Sequence, residues 1–270
     1  MNHRRRAVLA SILSLASALP LAAQARPPAA AVPEVRFLSV APSPYTQRHD
    51  SFRAGMGIFL SLRQLIQQEK LPLRTTFYDA SAVYDDAEKA KALLRGPQVL
   101  VVGSSTWAQG SSFYMRRFLE LVNLEYLGGV SATAWATAGG DHTGGDVVIQ
   151  DILRTLMGMG AQTFSLGQKY MVFSTDERTD PPEDGQFSLL DCWFMDQFAR
   201  NLAVVALAAN DRPKSAELVK RLGGGPHYYT SISRDPKVLE ARYGALRKRL
   251  NAAADARSEA YRGLRALLAQ

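Results

Sequence analysis

SATAWATAGGDHTGGDVVIQDILRTLMGMGAQTF, residues 131–164, is the stretch whose reading decides the fold. It starts as an apolar strand, passes through a loop with paired glycines and leaves as a helix. Glycine loses the most backbone freedom on folding, so four of them in one connection need a reason. Gly139, Gly140, Gly144 and Gly145 surround Asp141 and His142. So many glycines in one strand-to-helix loop favour close approach of a ligand to the backbone over a simple turn.

The same alternation extends outward. VRFLSVAPSPY from Val35 reads as a buried strand and a loop, and SFRAGMGIFLSLRQLIQQEK from Ser51 as a helix. LRTTFYDAS from Leu73 is a second strand and DDAEKAKALLRG from Asp85 a second helix. PQVLVVGSS from Pro97 is an apolar run without alternation, as expected of a strand covered by helices on both faces. SSFYMRRFLELVN from Ser111 is a third helix, AQTFSLG from Ala161 a short fifth strand, and LLDCWFMDQFARNLAVVALAAN from Leu189 a closing helix. Strands and helices that alternate in this way predict an α/β fold, a parallel sheet with right-handed crossovers. Ligands of such sheets bind at the carboxyl ends of the strands. Three loops there are long and rich in hydroxyls or glycine: APSPYTQRHDS, GSSTWAQGSS and TAGGDHTGGD.

The ends are of another kind. MNHRRRAVLASILSLASALPLAAQA has a basic start, an apolar stretch and an Ala-Gln-Ala end, which predicts a cleaved export signal over residues 1–25 and a periplasmic or exported protein. Arg5-Arg6-Ala7-Val8-Leu9 resembles the twin-arginine signal of bacteria. A Pro/Ala linker follows over 26–34. The formal charge is +7, of which Arg4, Arg5 and Arg6 leave with the signal, and the remaining +4 is too small an excess to argue for nucleic acid. Cys192 is the only cysteine, so no intramolecular disulfide forms, and its apolar helical surroundings read as core. Asp141, Asp146 and His142 are too few on one flexible loop for a metal site.

At the level of motif the chain resembles the flavodoxin-like FMN-dependent NAD(P)H:quinone oxidoreductases related to the tryptophan-repressor-binding protein, and the NADPH-dependent FMN reductases. TAGGDHTGGDVVIQDILRTLMGMGAQT is similar to that family's Ser-Thr-Gly-x-x-His-Gly-Gly loop, helix and Gly-Met turn, with Thr143 inserted. GSSTWAQGSSFYMRRFLE is similar to its Gly-Thr-Pro-Thr-aromatic loop and the helix after it, with Ser105 in place of the proline. The likeness runs by element order from Val35 to Ala209. It implies a five-stranded doubly wound sheet of order 2-1-3-4-5, with FMN at its edge and NAD(P)H as donor. Phosphate would then sit in the loop after strand one, on Ser43, Tyr45, Thr46 and Gln47, although Pro42 and Pro44 each remove an N–H donor there. Ser104, Ser105, Thr106, Trp107, Ala108 and Gly110 would hold one side of the flavin ring. Thr137, Ala138, Gly139, Gly140, Asp141, His142 and Gly145 would meet the other, with His142 as the residue that delivers a proton to the acceptor. On its own, Trp107 reads equally as a packed aromatic at a helix–sheet junction.

Three functions are open at this point: an FMN oxidoreductase acting on a quinone-like acceptor, an FMN electron carrier, and a binding protein on the same frame without cofactor. A serine hydrolase is excluded because no Gly-x-Ser-x-Gly elbow is present. An exported oxidoreductase would draw electrons from a membrane redox partner or a reduced quinone. The segment 210–270 reads as a helical extension. Leu239, Tyr243, Leu246 and Leu250, then Tyr261, Leu264 and Leu268, form a seam at alternating four and three spacing. That seam packs on its own domain, or on a second copy in a homo-oligomer, or turns its basic side to an acidic membrane surface.

Overall fold

Val99–Val102 are all fully buried, with no difference between alternate residues. A strand can bury both faces only at the centre of a sheet covered on both sides. This is β3 (Val99–Trp107), and it pairs in parallel with β1 (Glu34–Ser39) on one flank and β5 (Ser131–Ala138) on the other. β2 (Arg74–Asp79) lies outside β1, again parallel. The computed structural model describes residues 32–40, 50–83, 85–139, 144–166, 171–174, 185–208, 212–222 and 235–269, without the side chains of residues 81, 82, 212 and 269. The predicted signal (1–25) and most of the linker lie outside them.

The sheet order is β2-β1-β3-β5-β6, with β4 paired to β3 and β7 to β5. Counted by principal strands this is the expected 2-1-3-4-5. Two details differ from the sequence reading. The loop after Ser105 is not wholly a loop: β3 continues to Trp107 and folds back as β4 (Gly110–Ser111). The fifth strand is split. β6 (Gln162–Thr163) pairs with Ser131 and Ala132, and β7 (Val172–Ser174) resumes opposite Ala136–Ala138. Between them the Met171 sulfur accepts from the Leu166 N–H and the Ser165 hydroxyl.

Register partners share a face of a parallel sheet, and successive residues alternate. Phe37, Phe77 and Trp135 therefore point to one face, where they meet Phe52 and Phe59 of α1 (Asp50–Glu69) at ring separations of 5.3–6.4 Å within a continuous aromatic cluster that includes Tyr261. α2 (Ala87–Ala92) packs on α3 (Phe113–Val122), and α4 (Gly145–Gly158) covers the opposite face of the sheet, with Gly145 on Val172. α5 (Leu189–Ala208) lies on α1 and is apolar nearly all round, because α6 (Arg212–Arg221) and α7 (Pro236–Ala252) cover its other sides. Cys192 is fully buried in it, and burial pushes its thiol far above the ordinary range, so it is inert.

The seam of the C-terminal helices turns inward. Tyr243, Leu250, Tyr261 and Leu264 are buried, and Leu239, Leu246 and Leu268 pack against the same core. α8 (Glu259–Ala266) is tied to the end of β2 by Arg265 and Asp79 at 3.1 Å. Residues 32–270 form one compact unit.

At the amino end of β1, Glu34 is buried and accepts from Arg36 Nε (2.7 Å), a terminal nitrogen of Arg74 (2.5 Å) and Thr76 Oγ1 (2.7 Å). Burial raises its pKa, but the hydrogen bonds from Arg36 and Thr76, the Arg36 charge and the Arg74 hydrogen bond outweigh it and hold the carboxyl below its ordinary value. A lowered pKa gives stability that is complete above the unfolded value, about 4.3, and is lost as pH falls through the native one. Glu34→Gln is expected to cost about 1.5–3 kcal/mol at pH 7, the worth of hydrogen bonds to a charged group. The difference from the parent should shrink toward pH 3 in urea unfolding; a gap independent of pH would remove the carboxylate from the account.

Candidate functional site

The carboxyl edge of the sheet carries a hydroxyl near the end of each of four strands. Ser39 ends β1, Thr106 lies near the end of β3, Thr137 near the end of β5, and Ser174 ends β7. The four hydroxyl oxygens are buried and have no hydrogen-bond partner among the described residues, and the same holds for Ser51 in the first turn of α1. By register, Ser39 and Thr137 lie on the α1 face, and Thr106 and Ser174 on the α4 face. The edge is thus lined from both sides. A buried hydroxyl without a partner costs about 1–3 kcal/mol, and Thr133, nearer the start of β5, is in the same state.

The β3–β4 hairpin shapes one side. Its two turn residues, Ala108 and Gln109, both have positive φ, 47° and 63°. Such a turn normally takes Asn-Gly, and an alanine or glutamine there costs about 1–2 kcal/mol each. Two contacts hold the hairpin. Ser111 Oγ donates to Asp151 of α4 at 3.3 Å, and Gly144 sits directly on the turn. A Cβ at position 144 would lie 2.6 Å from Gln109 Cα and 2.7 Å from its carbonyl oxygen, and φ at Gly144 is +87°. Only glycine satisfies both demands. The question raised by the glycines therefore has a packing answer at this position: Gly144 is pressed on the strained turn. At Gly145 the missing Cβ leaves room for Val172.

The other predicted residues fall as follows. Ser104 is fully buried, and its hydroxyl is engaged with Ser112 Oγ at 3.2 Å and the Ser105 carbonyl at 3.1 Å. Ser112 in turn caps α3 by accepting from the Met115 N–H. Ser105 and Gly110 are half-buried, Ala138 is buried and Gly139 is exposed. Trp107 is 52% exposed at the hairpin, and Phe113, at the start of α3, is 62% exposed. Trp107 is thus available as an aromatic face. Ser43, Tyr45, Thr46, Gln47, Gly140, Asp141 and His142 lie outside the described residues.

Four residues of this region escaped the sequence reading. By sequence Ser39 is only part of a strand, and Ser174 lies between AQTFSLG and the closing helix, where no element is predicted. Asp50 and Arg53 open α1. Arg53 is fully buried and donates to the Asp50 carboxylate, to the Gly185 carbonyl at 2.6 Å and to the Leu250 carbonyl at 3.1 Å. Its guanidinium carbon stands 4.8 Å from the centre of the Phe187 ring. The one sequence signal was its place in an apolar helical run, where a charge needs a buried partner.

These observations test the fit of an FMN-like group. The ring end fits: hydroxyls that both donate and accept, and an aromatic face. The residues expected to seat the phosphate lie outside the described residues, and in the first turn of α1 the Asp50 carboxylate is paired with Arg53.

No protein-family model matches the sequence, and no curated protein matches it. Among solved structures, an oxidoreductase from Corynebacterium diphtheriae is similar at 16% identity and a TM-score of 0.50, over 65% of this chain and 97% of its own. The rubredoxin:oxygen oxidoreductase of Desulfovibrio gigas is similar at 14% identity and a TM-score of 0.46, over 67% of this chain, which spans only 37% of that protein. A WrbA-like flavodoxin from Agrobacterium tumefaciens is similar at 14% identity and a TM-score of 0.44, over 65% of this chain and 98% of its own. With the parallel sheet of order β2-β1-β3-β5-β6 flanked by helices on both faces, the fold of this chain is flavodoxin-like.

Proposed function

We propose that this chain binds FMN at the carboxyl edge of its sheet and acts as a redox protein toward a quinone-like or other small acceptor. The observation that supports this best is the set of buried hydroxyls on Ser39, Thr106, Thr137 and Ser174 that have no partner among the described residues, at the edge where sheets of this kind take their ligands. When bound, the flavin supplies the redox chemistry by taking up and returning electrons. Thr106 and Thr137 would meet its polar edge, and Trp107 would cover a face and keep water from it. His142 is proposed to deliver a proton to the acceptor. NAD(P)H, or a membrane redox partner for an exported protein, would be the donor.

A visible absorption spectrum followed by FMN titration tests the reading. A yellow protein, or an apoprotein that quenches FMN fluorescence, supports it; a colourless protein that leaves FMN fluorescence unchanged defeats it. Trp107→Ala is expected to weaken FMN about tenfold, the loss of one stacked aromatic. Thr137→Val separates binding from structure. Removing a buried hydroxyl that has no partner should leave the flavin-free protein as stable or more so, while FMN affinity falls. A variant that loses stability and keeps its affinity would make Thr137 structural only.

A second reading, a binding protein without cofactor, has one observation in its favour: the Asp50 carboxylate in the first turn of α1. The same titration decides between them.

A further inference from the structure

We infer that a groove between α1 and α7 binds a small organic anion, a carboxylate or phosphate head on an apolar body. The site is separate from the flavin edge, because no residue of the strands lines it.

The groove follows from the packing of the helices. α1 and α7 are pressed together at Gly57, where a Cβ would stand 2.3 Å from the Met195 sulfur of α5 and 3.0 Å from Leu250 Cδ1 of α7. Further along α1 they part and leave a groove of about 550 Å³, with Leu267, just after α8, as a third wall. That is the size of a small-molecule site.

The polar part of its lining is cationic. Arg63, Gln64 and Gln67 come from α1 and Arg249 from α7, and no aspartate or glutamate lines the groove. Every acid on the three helices here is engaged elsewhere. On α1, Asp50 pairs with Arg53, and Glu69 with Arg221 at 3.3 Å. On α5, Asp191 accepts from Ser188, and Asp196 pairs with Arg200 at 3.0 Å and Arg242 at 3.4 Å. On α7, Glu240 pairs with Arg247 at 3.0 Å. Glu259 starts α8, at the opposite end of that helix from Leu267. Among the described residues, Arg63 and Arg249 thus have no acidic partner. An adjoining cavity of about 230 Å³ shares Ser61, Gln64 and Leu246 with the groove and shows the contrast. Its two arginines, Arg200 and Arg242, both reach Asp196, so there the protein supplies its own anion.

Two like charges brought into one groove repel each other, and an anion bound there turns that repulsion into attraction. Arg63 is half-buried, and its guanidinium carbon stands 5.6 Å from the centre of the Phe59 ring, which holds it in place. A guanidinium fork matches the oxygens of a carboxylate or phosphate, and the glutamine amides add N–H donors. Leu60, Leu246 and Leu267 give the rest of the groove an apolar surface, which a mineral anion would leave wet and an organic one covers.

The test is calorimetric titration of the full chain with octanoate and octyl phosphate below their micellar concentrations, beside octanol and inorganic phosphate. The two amphiphilic anions should bind at least about tenfold tighter than either control. Their binding should weaken as salt is raised. Arg63→Gln and Arg249→Gln should each weaken it about tenfold, the loss of one charge-assisted contact, without a change in melting temperature beyond a few degrees. Octanol binding as tightly as octanoate would overturn the inference, and so would unchanged affinity in both folded variants. Co-sedimentation with phosphatidylglycerol vesicles in the absence of octanoate binding would overturn it in favour of a membrane surface. The outcome does not depend on whether the chain binds FMN.

Discussion

A chain cut before Asp235 is expected not to fold cooperatively. The last helices are read from sequence as an extension, yet they close the core. Removing them exposes the sites of Tyr243, Leu250, Tyr261 and Leu264, all buried. At about 1.5–3 kcal/mol for each large side chain this is about 6–12 kcal/mol, comparable with the whole stability of a domain, about 5–15 kcal/mol. Polar losses add to it. Asn251 holds Phe187 by two hydrogen bonds, of 2.8 and 2.9 Å, and the Leu250 carbonyl accepts from the buried Arg53. Without α7 that charge loses an acceptor in the interior, which is costly. The measurement is a thermal melt by circular dichroism of the truncated and full chains, with size exclusion to detect aggregation. A truncated monomer that melts cooperatively within a few degrees of the parent would show that the tail is a true appendage.

Trp135→Ala is expected to cost about 3–5 kcal/mol, toward the upper end, as the cavity left by an indole is large. Trp135 is fully buried, and the space for its ring exists because Gly103 of β3 and Gly55 of α1 have no side chains: a Cβ at either position would overlap the indole. Its Nε1 also donates to the Ser51 carbonyl at 3.0 Å, which ties the first turn of α1 to the sheet. The matching substitution, Gly103→Ala, should cost about 3 kcal/mol in the parent, where the added methyl meets the ring, and almost nothing once Trp135 is alanine. A double-mutant cycle by urea unfolding reads this coupling. Additive costs would contradict the packing described.

How much of this was legible beforehand follows from the range of each interaction. The strand at Val99 and the glycine loop with its helix announce themselves through period and composition, which are local. Their alternation was enough for a parallel α/β sheet, and the strand order followed from the resemblance of two loops to those of flavodoxin-like proteins. β7 was not legible: three residues make a strand only because Ala136–Ala138 lie beside them. The hairpin was not legible either, since Ala108-Gln109 carries no turn signal, and Gly144, some 35 residues later in the chain, holds it in place. The seam of the tail was visible as a period, but a period does not name what it packs on. At the candidate site the sequence pointed to loops, and the structure adds the hydroxyls of Ser39 and Ser174 as well as the Asp50–Arg53 pair.

By itself, then, the sequence determined the α/β order of elements, the central strand, the position of the loop-bearing edge and the existence of an apolar stripe on the last helices, because each is written in neighbours a few residues apart. Only the tertiary structure decided that Gly144 braces a strained turn, that four buried hydroxyls without a partner among the described residues lie along one edge, and that Arg53 is consumed by carbonyls 132 and 197 residues away. A buried polar group is defined by its partners, and those partners are brought to it by the fold, not by the chain.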